Sequence, residues 1–198
     1  MILIDTLAIE HGLINQMISL MRKELESMEQ TRMVRISSIG VLIDFMSTYA
    51  NRCHCGKEEN ILLKKLLSKD IASEHQKILR TFTKEHEYAS LIIKQLQKAR
   101  DAYLHSAKNA FDTIRECLQK LVDFYPRHMA REEELFSLYS LQYLDDEEQE
   151  DMLEEFWDYD KKLIKEKYRL KNAAKNGSHK SSKSSAPLKP SQPLRAYC

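Results

Sequence analysis

"SKDIASEHQ", Ser68 to Gln76, is the clearest break in a chain that otherwise reads as helix. Ser68 and Asp70 interrupt the three-and-four spacing of apolar residues on either side, and Ser73 with Gln76 reads as a capping box that opens a new helix. A chain that is helical into this turn and helical out of it folds back on itself. Residues equidistant from Asp70 then lie at one depth on neighbouring helices. His54 and His86 are such a pair.

The same geometry extends outward in both directions. His11 and His54 are centred near Arg32, at the weak break in "EQTR", and His86 and His128 are centred on residue 107, within "HSAKN". His75 fails the test, because its midpoint with His54 falls inside "LLKKLL". His105 lies at a turn and His179 in the C-terminal stretch. One histidine per helix therefore shares a single level. Two of the four, His54 and His128, are followed four residues later by Glu58 and Glu132. That spacing puts imidazole and carboxylate on one helix face.

The helical period runs from Asp5 to about Tyr143 and divides into four helices. Helix A spans about Asp5 to Glu29, with Leu7, Ile14, Met17, Ile18, Met21 and Leu25 inward. Helix B spans about Thr31 to Leu67, helix C runs from Ser73 to about Leu104, and helix D from about Ser106 to Leu141. The chain has only four glycines and four prolines, and three of the prolines lie in its last dozen residues. So few turn formers suit long helices. The fold class is all-α: an antiparallel up-down-up-down four-helix bundle over residues 1–143, with an extra C-terminal helix and a disordered tail.

That extra helix occupies 144–172. Ten acids fall between Asp145 and Asp160 and a mostly basic run follows, which suits a helix dipole. Its stripe of Met152, Phe156, Tyr159 and Leu163 packs on the bundle, on a protein partner, or on a second copy as a dimer surface. Residues 173–198 hold five Lys/Arg, no acids and abundant Ser and Pro, and read as a disordered basic tail.

Composition narrows the function. A formal net charge of +1 gives no support for a nucleic-acid surface. No apolar run approaches the roughly 20 residues of a membrane span, and "MILIDTLAIEHG" lacks the features of a secretory leader. Four scattered cysteines do not make a disulfide scaffold, so the expected location is the reducing cytoplasm.

Four imidazoles and two carboxylates at one level of a core are costly unless paired, by several kcal/mol for each buried carboxylate. A pair of cations offsets that cost. Iron best suits mixed N/O ligands with open positions, and manganese and zinc also fit the ligand types. Carboxylates that face two ions at once hold them together, while imidazoles fill the outer positions.

The segments "AIEHGLI", "RCHCGKEENIL", "KEHEYA" and "RHMAREEELF" resemble the four ligand segments of hemerythrin-like proteins, the HHE cation-binding family. The resemblance covers about Leu7 to Tyr143. It implies a non-haem centre of two iron ions, oxo- or hydroxo- and carboxylate-bridged, with His11, His54, Glu58, His86, His128 and Glu132 as metal ligands. It further implies that the centre binds or reacts with O2, NO or peroxide. Oxygen-carrying hemerythrins use five histidines, including a second one on the third helix. Here the positions four away from His86 are Phe82 and Ser90. This departure points also toward members that sense iron, oxygen or redox state through a partner, that reduce NO or peroxide, or that repair iron–sulfur clusters.

The neighbours of these residues have plainer readings. Cys53 and Cys55 flank His54 and, on an α-helix, point about 100° to either side of it. Cys55 then reads as a packing residue or a thiol outside the ligand set. Glu59 and Glu133 read as solvated or as outer partners of the ligands. Gly12 and Gly56 allow something to approach the ligand segments closely, and Pro126 is expected to kink helix D.

Overall fold

The computed structural model describes residues 3–178. Among these the fold is all-helical, with five helices: α1 (Leu3–Thr31), α2 (36–67), α3 (Ser73–Leu104), α4 (Ala110–Tyr143) and α5 (Asp146–Ser178). No helix among the described residues is long and apolar enough to cross a membrane. The C-terminal stretch read as a tail from 173 is still helical as far as Ser178. Residues 179–198, the rest of that stretch, lie outside the described residues.

The turns stand where the histidine midpoints put them. Arg32 has a φ of 57°, and Ser106 and Asn109 have φ of 55° and 65°. The α1–α2 and α3–α4 connections thus reverse direction with left-handed residues that are not glycine, an uncommon solution for non-Gly side chains. The start of α3 differs in detail from a capping box. Its N-cap is Ala72, with no side-chain capping bond, and the Gln76 amide instead donates to the Ile71 carbonyl at 3.3 Å.

Cross-helix contacts show how the helices pair. Between α1 and α2, Glu24 meets Arg35 and Glu10 meets Lys57. Just before α2, the Val34 amide donates to the Tyr103 hydroxyl of α3 at 3.4 Å, and between α2 and α3 Asn51 reaches Ser90. Between α3 and α4, Tyr88 packs on Phe124, Phe82 on Phe136, and His75 bonds to Tyr143. In each pair numbers rise on one helix as they fall on its neighbour.

Two apolar clusters fill the interior. One holds Ile14, Ile18, Met21, Leu42, Met46, Ile93, Leu96, Leu118 and Leu121. The other holds Leu7, Leu62, Leu66, Leu79, Phe82 and Phe136, together with Met152 and Phe156 of α5. The apolar stripe of α5 therefore closes one end of the molecule. Between the clusters every helix from α1 to α4 carries a buried histidine.

Helix α2 is not uniform. Residues Met46–His54 and Glu58–Leu63 are π-helical, separated by one short α turn, Cys55–Lys57. A π turn closes its hydrogen bond one residue later than an α turn, and such turns are rare and concentrate at functional sites. On α4, Pro126 lies inside an unbroken helix.

Candidate metal centre

The polar layer is built from four imidazoles whose Nε2 atoms turn inward. On one side, Nε2 of His11 and Nε2 of His54 lie 3.0 Å apart. On the other, the rings of His86 and His128 meet edge to face, with centroids 5.0 Å apart. The two carboxylates stand between these pairs. Oε1 of Glu58 lies 3.4 Å from His54 Nε2 and 3.9 Å from His11 Nε2, while Oε2 lies 3.3 Å from His86 Nε2. Glu132 mirrors it, with Oε2 3.6 Å from His11 Nε2 and Oε1 3.0 Å and 3.1 Å from Nε2 of His86 and His128. Each carboxylate thus offers one oxygen to each imidazole pair.

Both oxygens of Glu58 and Oε2 of Glu132 are buried without a hydrogen-bond partner among the described residues. Such an omission costs about 1–3 kcal/mol per neutral group and more for a charged one. The donor atoms of His11, His54, Glu58 and Glu132 all lie within 4.8 Å of one another, as do those of His86, His128 and Glu132. Two adjoining sets of N and O donors with orphaned carboxyl oxygens between them fit a pair of cations. All six residues singled out in the sequence are brought together here.

The outward nitrogen of each ring is held by an acid. Nδ1 of His11 bonds to Glu133 at 2.9 Å, and Nδ1 of His54 to Glu10 at 2.9 Å. Nδ1 of His86 bonds to Glu59 at 2.8 Å, and Nδ1 of His128 to Glu85 at 2.8 Å. An acceptor at Nδ1 fixes the proton there and leaves Nε2 with a free lone pair for a metal. The four acids form a ring, each coming from a helix next to that of its histidine.

The charges of the layer are mutually dependent. Burial, and then the Glu58 charge, push the Glu132 carboxyl up to about 8. Burial would raise Glu58 as well, but His54, His86 and His11 outweigh it and hold that carboxyl at about 2. Burial and then His86 depress His128 to about 4, and burial and then His54 depress His11. At His54 burial is outweighed by Glu58 and Glu10, which raise it. Two carboxylates at one place cannot both ionise without cations, and here one is held charged while its neighbour keeps a proton near neutrality.

Several residues here were not evident in the sequence. Glu10 and Glu85 each directly precede a ligand histidine, and the repeated "EH" dipeptide was the only trace of them. Glu59 and Glu133, read as solvated or outer partners, take the second role. Lys57 is fully buried: its ammonium pairs with Glu10 and, at 3.0 Å, with Asp160 of α5. Cys55 is buried beside the polar layer, with Sγ, a Glu58 oxygen and a His86 nitrogen within 4.8 Å of one another. Burial pushes its thiol up to about 11.

The two glycines divide. A Cβ on Gly12 would meet nothing within 4 Å, so no close approach occurs there. One on Gly56 would run into the Tyr159 hydroxyl and lie 3.1 Å from its ring.

A family model, the hemerythrin HHE cation-binding domain, matches residues 2–139 and again 77–181. With the layer of histidines and acids in view, the chain belongs to the hemerythrin HHE cation-binding family. No curated protein and no solved structure matches it.

Proposed function

We propose that the chain is an antiparallel up-down-up-down four-helix bundle holding two iron ions, with His11, His54, Glu58, His86, His128 and Glu132 as ligands, and that the centre binds or reacts with O2, NO or peroxide. The observation that carries this reading is the pose of Glu58 and Glu132. Each aims one oxygen toward the His11 and His54 side and the other toward His86, and among the described residues three of those four oxygens lack a hydrogen bond. The ascending and descending contacts between successive helices support the topology.

When bound, the irons supply the redox chemistry. The protein's residues do the rest. The imidazoles fill outer positions, and the four outer acids keep each ring in the tautomer that presents Nε2. Neither position four residues from His86, Phe82 or Ser90, carries a further imidazole, and Phe82 is fully buried with its ring against His128. An apolar neighbour beside His128 favours access by a small diatomic or peroxide.

Anaerobic loading of the purified chain with ferrous iron, followed by metal analysis and optical spectra before and after O2 or NO, tests the proposal. About two irons per chain and a spectrum that changes with the gas support it. A chain that binds no iron, or a His54→Ala His128→Ala variant that loads and responds like the wild type, sinks it.

A regulatory reading is favoured by one specific feature. Glu10 bonds both to His54 Nδ1 and to Lys57, and Lys57 bonds to Asp160, so a continuous polar chain runs from the layer to α5. In that reading α5 reports metal or redox state to a partner. Hydrogen exchange in α5 that is indifferent to iron would refute it.

A further inference from the structure

We propose that Cys55 is a ligand of the second metal, adding a thiolate beside His86 and Glu58. This rests on the dinuclear reading above and sharpens one of its two positions. The thiol of Cys55, a Glu58 oxygen and a His86 nitrogen form a third buried group of potential donors, all within 4.8 Å of one another. A further observation points to the same place: both Glu58 oxygens are buried with no hydrogen-bond partner among the described residues.

The backbone explains how two consecutive residues serve two different positions. His54 ends one π-helical segment and Cys55 opens the short α turn before the next, where Glu58 begins. In regular α-helix Cys55 would swing about 100° away from His54. Across this π–α junction His54 lies with His11 and Glu58, and Cys55 lies with His86 and Glu58.

Coordination replaces the S–H bond with a metal–sulfur bond. The thiol proton leaves to solvent, no electron is transferred, and a bound metal makes the thiolate favourable even in a buried site. The two positions become chemically unequal: N/O donors only at His11 and His54, but N/O and a soft sulfur at His86 and His128.

X-ray absorption at the iron edge on the full-length chain, loaded anaerobically and counted by metal analysis, decides the matter. The expected result is a sulfur shell at about 2.3 Å, the length of a metal–thiolate bond, equivalent to one sulfur per pair of irons. It should vanish in Cys55→Ala and Cys55→Ser when the sulfur shell is normalised to the iron each chain retains. It should persist in a Cys53→Ser Cys117→Ser Cys198→Ser chain, which keeps the assignment testable if the Cys55 variants do not fold. A chain with two irons and no sulfur shell overturns the proposal and leaves the dinuclear reading standing. Loss of the shell in the chain that retains only Cys55 also overturns it. A chain that takes up no iron overturns the dinuclear reading and this proposal together.

Discussion

At each imidazole of the layer, the nitrogen that faces inward is governed by the one that faces out. The acids at Nδ1 differ in what else they hold. Glu59 bonds to His86 and is partly exposed, whereas Glu10 is buried and also pairs with Lys57. Partners of metal-bound histidines typically contribute 10–100-fold to metal affinity. Glu59→Gln should therefore weaken iron binding by about tenfold, and Glu10→Gln by up to about 100-fold, read by competition with a chelator of known affinity. Equal effects, or none, would mean that these acids do not tune the rings. Protonation supplies a second test at this scale. Glu132 holds its proton up to about 8, and His54 is raised above its ordinary value. A metal must displace those protons, so loading at pH 7 releases protons and apparent affinity rises as pH climbs from about 6 to about 8. His128, depressed to about 4, is already neutral there and adds nothing to the slope. Titration calorimetry in buffers of different ionisation heat measures the release, and a flat or inverted pH dependence would contradict the assignment.

Among the elements, α2 carries the most chemistry and was the least legible. The helix-per-histidine plan, the turns near Arg32, Asp70 and residue 107, and the six converging side chains followed from apolar spacing and symmetric midpoints, because both depend only on rise per residue. The π segments of α2 left no such trace, since a shift from i−4 to i−5 hydrogen bonding has no signature in composition. That is why Cys55 was read as turned away from the layer. The α3 N-terminus went wrong for a related reason: a Ser-x-x-Gln spacing suits a capping box, yet the chain enters the helix one residue earlier, at Ala72. Docking of α5 was legible as an apolar stripe, but its polar anchors were not. Lys57 is buried between Glu10 and Asp160, with its ammonium 5.5 Å from the Phe156 ring centroid. Removing one partner of a buried ion pair costs about 3–5 kcal/mol, so Lys57→Met should lower the urea-unfolding free energy by that amount, and a loss under about 1 kcal/mol would show the pair to be dispensable. Gly56→Ala should behave differently. Alanine gains about 1 kcal/mol as a helix former, while its methyl displaces Tyr159 and breaks the bond from the Tyr159 hydroxyl to the Arg52 carbonyl. The two effects nearly cancel globally, so the visible result is faster amide exchange in α5 around Tyr159, with α1 unchanged.

Over the whole molecule the polar layer separates two apolar cores that would otherwise be continuous. The chain also repeats itself across that layer. "EH" opens the ligand segments of α1 and α3, while a histidine followed four residues later by a pair of glutamates marks those of α2 and α4. The two matches to the family model begin at 2 and at 77, the same 75-residue step that separates His11 from His86. Each half thus brings two histidines and one central carboxylate. Under the proposed dinuclear reading, cations at the centre would tie α1 and α2 to α3 and α4. Ligands that bind only the folded chain stabilise it by mass action, by about 2.7 kcal/mol for each site at 100-fold excess over its dissociation constant. Two such sites in a chain of this size correspond to a rise in Tm of roughly 10–20 °C. Calorimetric scans with iron and with chelator should show that difference as one cooperative transition, since the layer joins both cores. The His54→Ala His128→Ala chain should melt at the same temperature in both conditions. A wild-type Tm indifferent to iron, or two separate transitions of which only one moves, would mean that the layer does not join the halves through metal.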